Sequence, residues 1–264
     1  MERLLRMGGK MIAAILGLIT GFIALVAGKA RANPPLPPAP TPQPGLPPAP
    51  QTTSYNTALW EPFLVSLLPR GMPLQFAKNW IEIESGGNPC AIGVPGSLGT
   101  DGHPKEQGIA QLYNPDDFNA HGIPSGSLRK YCSGKGQACT RPLTSEEMAA
   151  QVKGLIALIR SSVNYVANVL ATNGATHLPG WSPSGEGFWR LVKTVHGLPG
   201  ITNGMKYVTA KLKRAPTGWE EFKDQILNRG VKLDSGTEQY RSKYGKVFEN
   251  AETTAKGVPG AAVV

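Results

Sequence analysis

The chain has 264 residues and a formal charge of +9, with 41% hydrophobic residues, 32 glycines and 24 prolines. Once the apolar and proline-rich start is set aside, one globular unit of roughly 200 residues is left, with apolar content ample for a core. Arg3, Arg6, Lys10, Lys29 and Arg31 against Glu2 place +4 of the charge in the first 32 residues and leave +5 for the rest. That surplus suits an anionic polymer, but no basic stripe with interleaved aromatics appears, so no nucleic acid is expected as a partner.

In chain order, residues 11–28 run without a charge behind a basic start, which reads as an export signal, a membrane anchor, or both. As a helix the run is about 27 Å long against a hydrocarbon core of about 30 Å, longer than an ordinary signal core. Length favours an uncut anchor in the lipid bilayer, with the amino terminus in the cytoplasm and everything after residue 32 outside it. The alternative is a signal peptide cut after Ala32, where Ala30-Arg31-Ala32 has the small-x-small pattern, giving a secreted chain that starts at Asn33. From Asn33 to Pro50 ten of eighteen residues are proline, a stiff polyproline spacer.

Beyond residue 53 the apolar periodicity is helical and almost nothing alternates with period two, so the fold class is mainly α. Helices are predicted at about 56–68 and 73–85, the second opened by Pro73 and closed by Gly86-Gly87. The segment 86–143, rich in Gly, Pro, Asn and Asp, reads as loops with a short helix near Gln107 to Tyr113. A capping box of Thr144 with Glu147 opens a long central helix that Gly174 stops. Further helices are expected at 186–196, 204–213 and 217–228, the last opened by a box of Thr217 with Glu220, and the tail from Ala251 to Val264 reads as loose. Cys132 and Cys139 enclose a six-residue loop and Cys90 stands alone, which is no metal spacing. In an exported chain Cys132 is expected to bridge Cys139, with Cys90 to either of them as the rival pairing.

The residue best placed for chemistry is Glu84. It lies four residues after Trp80, three after Ile81 and seven after Ala77, on their apolar face, whereas Glu82 shares a face with Lys78 and Asn79. Apolar surroundings and the negative end of the helix dipole both disfavour a charged carboxylate there, which suits a group that donates a proton near neutral pH. The plainer reading is a carboxylate that only caps or pairs at a helix end.

The stretch Trp80-Ile-Glu-Ile-Glu-Ser-Gly-Gly-Asn-Pro89, followed by Gln107-Gly-Ile-Ala-Gln-Leu112, resembles the lysozyme-like lytic transglycosylases, a family that includes the soluble lytic transglycosylases and is similar in fold to goose-type lysozyme. The resemblance covers roughly residues 56–210. It implies Glu84 as catalytic acid/base, Ser85 beside it, and Gly108 with Gln111 as a second motif along the cleft. The family's third motif, Ala-Tyr followed by Asn or His, is matched imperfectly by Thr194-Val195-His196-Gly197. Val195 stands where a tyrosine would hydrogen-bond the carboxylate, and a valine has no such donor. His196, four residues after Val192 and seven after Trp189, shares their inner face and is the candidate to take over that role; a histidine bonded to a backbone carbonyl is the plainer reading. The insertion from Cys90 to Glu106 looks longer than the family usually carries and contains Asp101, His103 and Glu106.

The resemblance implies that Glu84 protonates the glycosidic oxygen between N-acetylmuramic acid and N-acetylglucosamine in peptidoglycan and then acts as base. Taking the proton from the sugar's own 6-hydroxyl gives a 1,6-anhydro product with one carboxylate and no cofactor. A second carboxylate, with Asp101 and Glu106 as the candidates, would instead position a water and make the enzyme a hydrolytic muramidase. A third reading is a non-catalytic glycan-binding or assembly protein of an envelope or virion complex. A cysteine peptidase built on Cys90 with His103 or His196 has no surrounding motif to support it, and a zinc hydrolase lacks a His-Glu-x-x-His. The organisation expected is a signal anchor or signal peptide over 1–32, a Pro-rich linker over 33–52, a lysozyme-like catalytic domain over 53–250 and a flexible tail over 251–264. Peptidoglycan glycan strands are the expected partner, and a phage, secretion or wall-turnover setting is left open.

Overall fold

A computed structural model describes residues 45–258 apart from 101, 114–115, 122, 124–126, 135, 199 and 232–238. The apolar run over 11–28, the cleavage pattern at Ala32 and most of the proline-rich arm therefore lie outside the described residues, as does Asp101.

After a 3-10 turn at Thr57–Trp60 come α1 (Glu61–Leu67) and α2 (Leu74–Ser85). A two-stranded antiparallel hairpin of β1 (Glu106–Gln107) and β2 (Leu112–Tyr113) follows, with Gln107 opposite Leu112. Next are α3 (Asp116–Ala120), a 3-10 turn at Ser127–Arg129, and the long α4 (Ser145–Thr172). The chain ends in α5 (Glu186–Gly197), α6 (Ile201–Leu212), α7 (Trp219–Leu227) and α8 (Gln239–Ala255). The architecture is mainly helical, as the periodicity predicts. Helix α5 packs against α4 on one side and most extensively against α8, which also covers α2. The core runs from Trp60 and Trp80 through Met148, Val152 and Ile159 to Trp189, Phe222 and Phe248, each at most 4% exposed.

Central helix α4 is built as its sequence demands. Glu147 N–H donates to Thr144 Oγ1 (3.2 Å) while Glu147 Oε2 accepts from the Thr144 backbone N–H (2.9 Å), closing the capping box. Arg141 clamps the same carboxylate through two nitrogens (2.8 and 2.7 Å), holding it below the usual carboxylate range. Among the described residues α4 is also the one helix long and apolar enough to cross a membrane, with a best-window mean hydropathy of 1.3. Its apolar face is already occupied, because Val152, Leu155, Ile159 and Val166 are fully buried in the domain.

Several expectations are corrected. Gln107 to Tyr113 is a hairpin rather than a short helix, since Gly108 and Gln111 both take positive φ (78° and 52°) and break any helical run. Helix α7 starts after Gly218, and Glu221 rather than Glu220 accepts from Thr217 through its N–H (2.7 Å) and hydroxyl (3.0 Å). The first residues of the expected loose tail instead complete α8, where Ala251 and Ala255 are fully buried, and Val258 beyond it is 5% exposed; the rest of that tail, 259–264, lies outside the described residues. The end of the proline arm is also tied down, because Ser145 Oγ donates to the Pro47 carbonyl at 2.7 Å.

The expected Cys132–Cys139 bridge is absent. Cys90 is bonded to Cys132, and Cys139 is a free thiol whose sulfur lies 3.3 Å from that of Cys90. Cys132 and Cys139 do face each other across an antiparallel bridge. Buried Arg129 decides the matter by drawing the loop after Pro89 onto that hairpin, donating to the carbonyls of Cys90 (2.7 Å), Gly134 (3.1 Å) and Gly136 (2.7 Å).

Candidate active site

Helix α2 carries Glu84 in its last turn and ends at Gly86, whose left-handed φ of 59° reverses the chain. Gly87 follows at φ 85°, and a Cβ there would stand 2.2 Å from the Asn56 carbonyl carbon, so both the backbone conformation and the space call for glycine. Trp80, Ile81 and Ala77 are fully buried and Glu82 is exposed, so the sorting of the two glutamates by periodicity is met in the structure. The side chain of Glu84 is 19% exposed and opens into a cleft of about 1040 Å³.

Ser85 does not line the cleft. Its hydroxyl lies within hydrogen-bonding distance of the carbonyls of Ile81 (3.0 Å) and Ile109 (3.1 Å) and accepts from Gly87 N–H (3.1 Å), fastening the helix end to the β1–β2 turn. Gly108 is likewise a framework residue, since a Cβ there would sit 2.5 Å from Gln151 Oε1. Gln151, reaching in from α4, takes the Ile109 N–H (3.0 Å) and donates to Pro89 O (3.0 Å) and Tyr131 OH (2.6 Å), so one buried amide joins both motif segments. Gln111 is held by its own donation to Gly108 O (2.9 Å) and lines the cleft, as does Glu106, whose carboxylate lies against Gly93.

The third segment enters on α5. Val195 and His196 both line the cleft. His196 packs against Trp80 with ring centroids 5.2 Å apart, and its Nε2 stands 3.8 Å from Glu84 Oε1, beyond hydrogen-bond reach. Burial, and then the Lys193 ammonium, push His196 down to about 4 against the opposing pull of Glu84. The imidazole is therefore neutral at pH 7, and its approach to Glu84 is not an ion pair.

The group that engages Glu84 is Lys193, whose Nζ contacts Glu84 Oε1 while standing 4.3 Å over the Trp80 ring. Its side chain is only 5% exposed, and burial pushes the amine down while the Glu84 carboxylate pulls it up. The expectation of apolar surroundings for Glu84 is thus corrected, because a buried ammonium is in contact with its carboxylate. The sequence did carry a signal for Lys193: it falls four residues after Trp189 and three before His196, a single cation on the inner face of a helix.

Asp117 was also not foreseen. It lines the same cleft, accepts from Tyr113 N–H at 2.7 Å, and is pushed up by burial. With Glu106, Asp116 and Asp117 on its walls and Tyr113 and Tyr165 among them, the cleft combines carboxylates with aromatic faces. Its volume stands at the upper end, about 1,000 Å³, of what small-molecule pockets usually show. Among the described residues no group of three His, Cys, Asp or Glu is placed to hold a metal ion. No family model, curated protein or solved structure matches this chain.

Proposed function

We propose that the chain is a peptidoglycan lytic transglycosylase that cleaves the bond between N-acetylmuramic acid and N-acetylglucosamine, with Glu84 as acid and then base. The observation that carries this reading is the meeting of Glu84, Gln111 and His196, from three distant segments, in one cleft of about 1040 Å³. In the mechanism, Glu84 gives its proton to the glycosidic oxygen and the leaving sugar departs as an alcohol. The same carboxylate then takes the proton of the 6-hydroxyl as that oxygen closes on the anomeric carbon, so no water enters. Tyr165 and Tyr113 put aromatic rings on the cleft wall, the latter under the Lys105 ammonium at 4.8 Å, and Gln111 offers an amide to the N-acetyl groups of the sugars. Residues 11–28 would hold the domain at a membrane, outside the cytoplasm.

A hydrolytic muramidase is the second reading, favoured by Asp117 and Glu106 in the same cleft, either of which could position a water. The full chain in detergent, incubated with purified peptidoglycan beside Glu84→Gln, tests both. Anhydro-muropeptides from the unaltered chain, with a loss of about 100-fold or more in the variant, support the transglycosylase. Reducing-end products support the muramidase. Glycan binding without cleavage overturns both and leaves a glycan-binding assembly protein.

A further inference from the structure

We propose that Lys193 is the positioning residue of this cleft: its ammonium clamps the Glu84 carboxyl in the place from which it meets a bound glycan. The contact is built into the fold. Trp80, itself fully buried, presents its ring 4.3 Å from Lys193 Nζ, and the lysine stem lies on the inner face of α5, leaving the side chain 5% exposed. A surface pair would exchange its partner for water. Here the ammonium is enclosed by the ring and the carboxylate, so its position fixes that of Glu84 Oε1.

The other ionisable groups do not duplicate it. On α5 His196 is neutral at pH 7 and 3.8 Å from the carboxylate. The remaining walls bring Glu106, Asp116 and Asp117, with the phenols of Tyr113 and Tyr165, and α8 contributes the uncharged Asn250. Lys193 is the one cation among the described residues lining the cleft.

The kinetic arm of this proposal rests on the glycan-cleaving reading, so a second arm is chosen that does not. In the full chain, the titration of the Lys193 side chain is followed by NMR of labelled lysine in the unaltered protein and in Glu84→Gln. Removing the carboxylate is expected to lower the midpoint by about one to three pH units, because an opposite charge in contact has that effect. An equal midpoint in both proteins overturns the proposal. In parallel, kcat and KM of peptidoglycan cleavage are compared for the unaltered chain, Lys193→Met and Lys193→Arg. Without the clamp the carboxyl can swing away from the reacting oxygen, so kcat is expected to fall about 100-fold in Lys193→Met with KM little changed, and to recover to within about 10-fold of the unaltered chain in Lys193→Arg. A residue that only packs would not separate methionine from arginine in this way, and equal kcat in the two variants overturns the proposal. If the lysine titration responds to Glu84→Gln but no variant cleaves glycan, the clamp stands and the transglycosylase reading falls.

Discussion

Gln151→Met tests whether one buried amide holds the two motif segments together. Gln151 is 1% exposed, and methionine matches its length, so the substitution leaves little void and isolates the hydrogen bonds. The amide oxygen accepts from Ile109 N–H at 3.0 Å. The amide nitrogen has two protons for three acceptors, Tyr131 OH at 2.6 Å, Pro89 O at 3.0 Å and Leu128 O at 3.3 Å. The variant therefore orphans one fully buried N–H, at about 2 kcal/mol, and removes two donated bonds at about 1 kcal/mol each. A loss of about 4 kcal/mol should appear in urea unfolding of the full chain, with a fall of about 10 °C in Tm. A loss under about 1 kcal/mol would refute the reasoning, since it would mean that water or a small backbone shift satisfies those groups at no cost.

Two further outcomes follow from the same geometry. His196 is held near 4 when folded, below its ordinary 6.5, so unfolding takes up a proton between those values. Stability should fall as pH drops from 6.5 to about 4, by up to roughly 3 kcal/mol, with no further loss from this group below that window. His196→Gln should remove that part of the slope from urea midpoints measured against pH, and an unchanged slope would contradict the neutral, buried histidine. Peptide mapping after alkylation in denaturant should find Cys90 joined to Cys132 and the label on Cys139. Label on Cys90, with Cys132 joined to Cys139, would return the pairing to the one expected from sequence spacing alone.

What the sequence determined by itself is what depends on near neighbours along the chain. Thr144 and Glu147 are one turn apart, so the box that starts α4 was legible, as were Pro73 and Gly86 at the ends of α2. The period of 3.6 residues was enough to turn Glu84 inward with Trp80 and Ile81 and leave Glu82 in solvent. Where the signal was local but ambiguous the reading failed: Glu220 and Glu221 both lie within a turn of Thr217, and only the start of α7 after Gly218 selects Glu221. Helix α8 was illegible because its polar composition gave little periodicity, and its stability comes from packing on α5 and α2. Tertiary structure alone decided three further points. It bonded Cys90 to Cys132 although Cys139 faces Cys132 across the hairpin, with Cys90 held there by an arginine that no cysteine spacing encodes. It put Asp117 in the cleft after a chain reversal at the β hairpin. It set Lys193 against a carboxylate 109 positions earlier in the chain. Spacing can say which face of a helix a side chain occupies, but the charge it meets there is supplied by another element, and only the packing of α5 on α2 determines it.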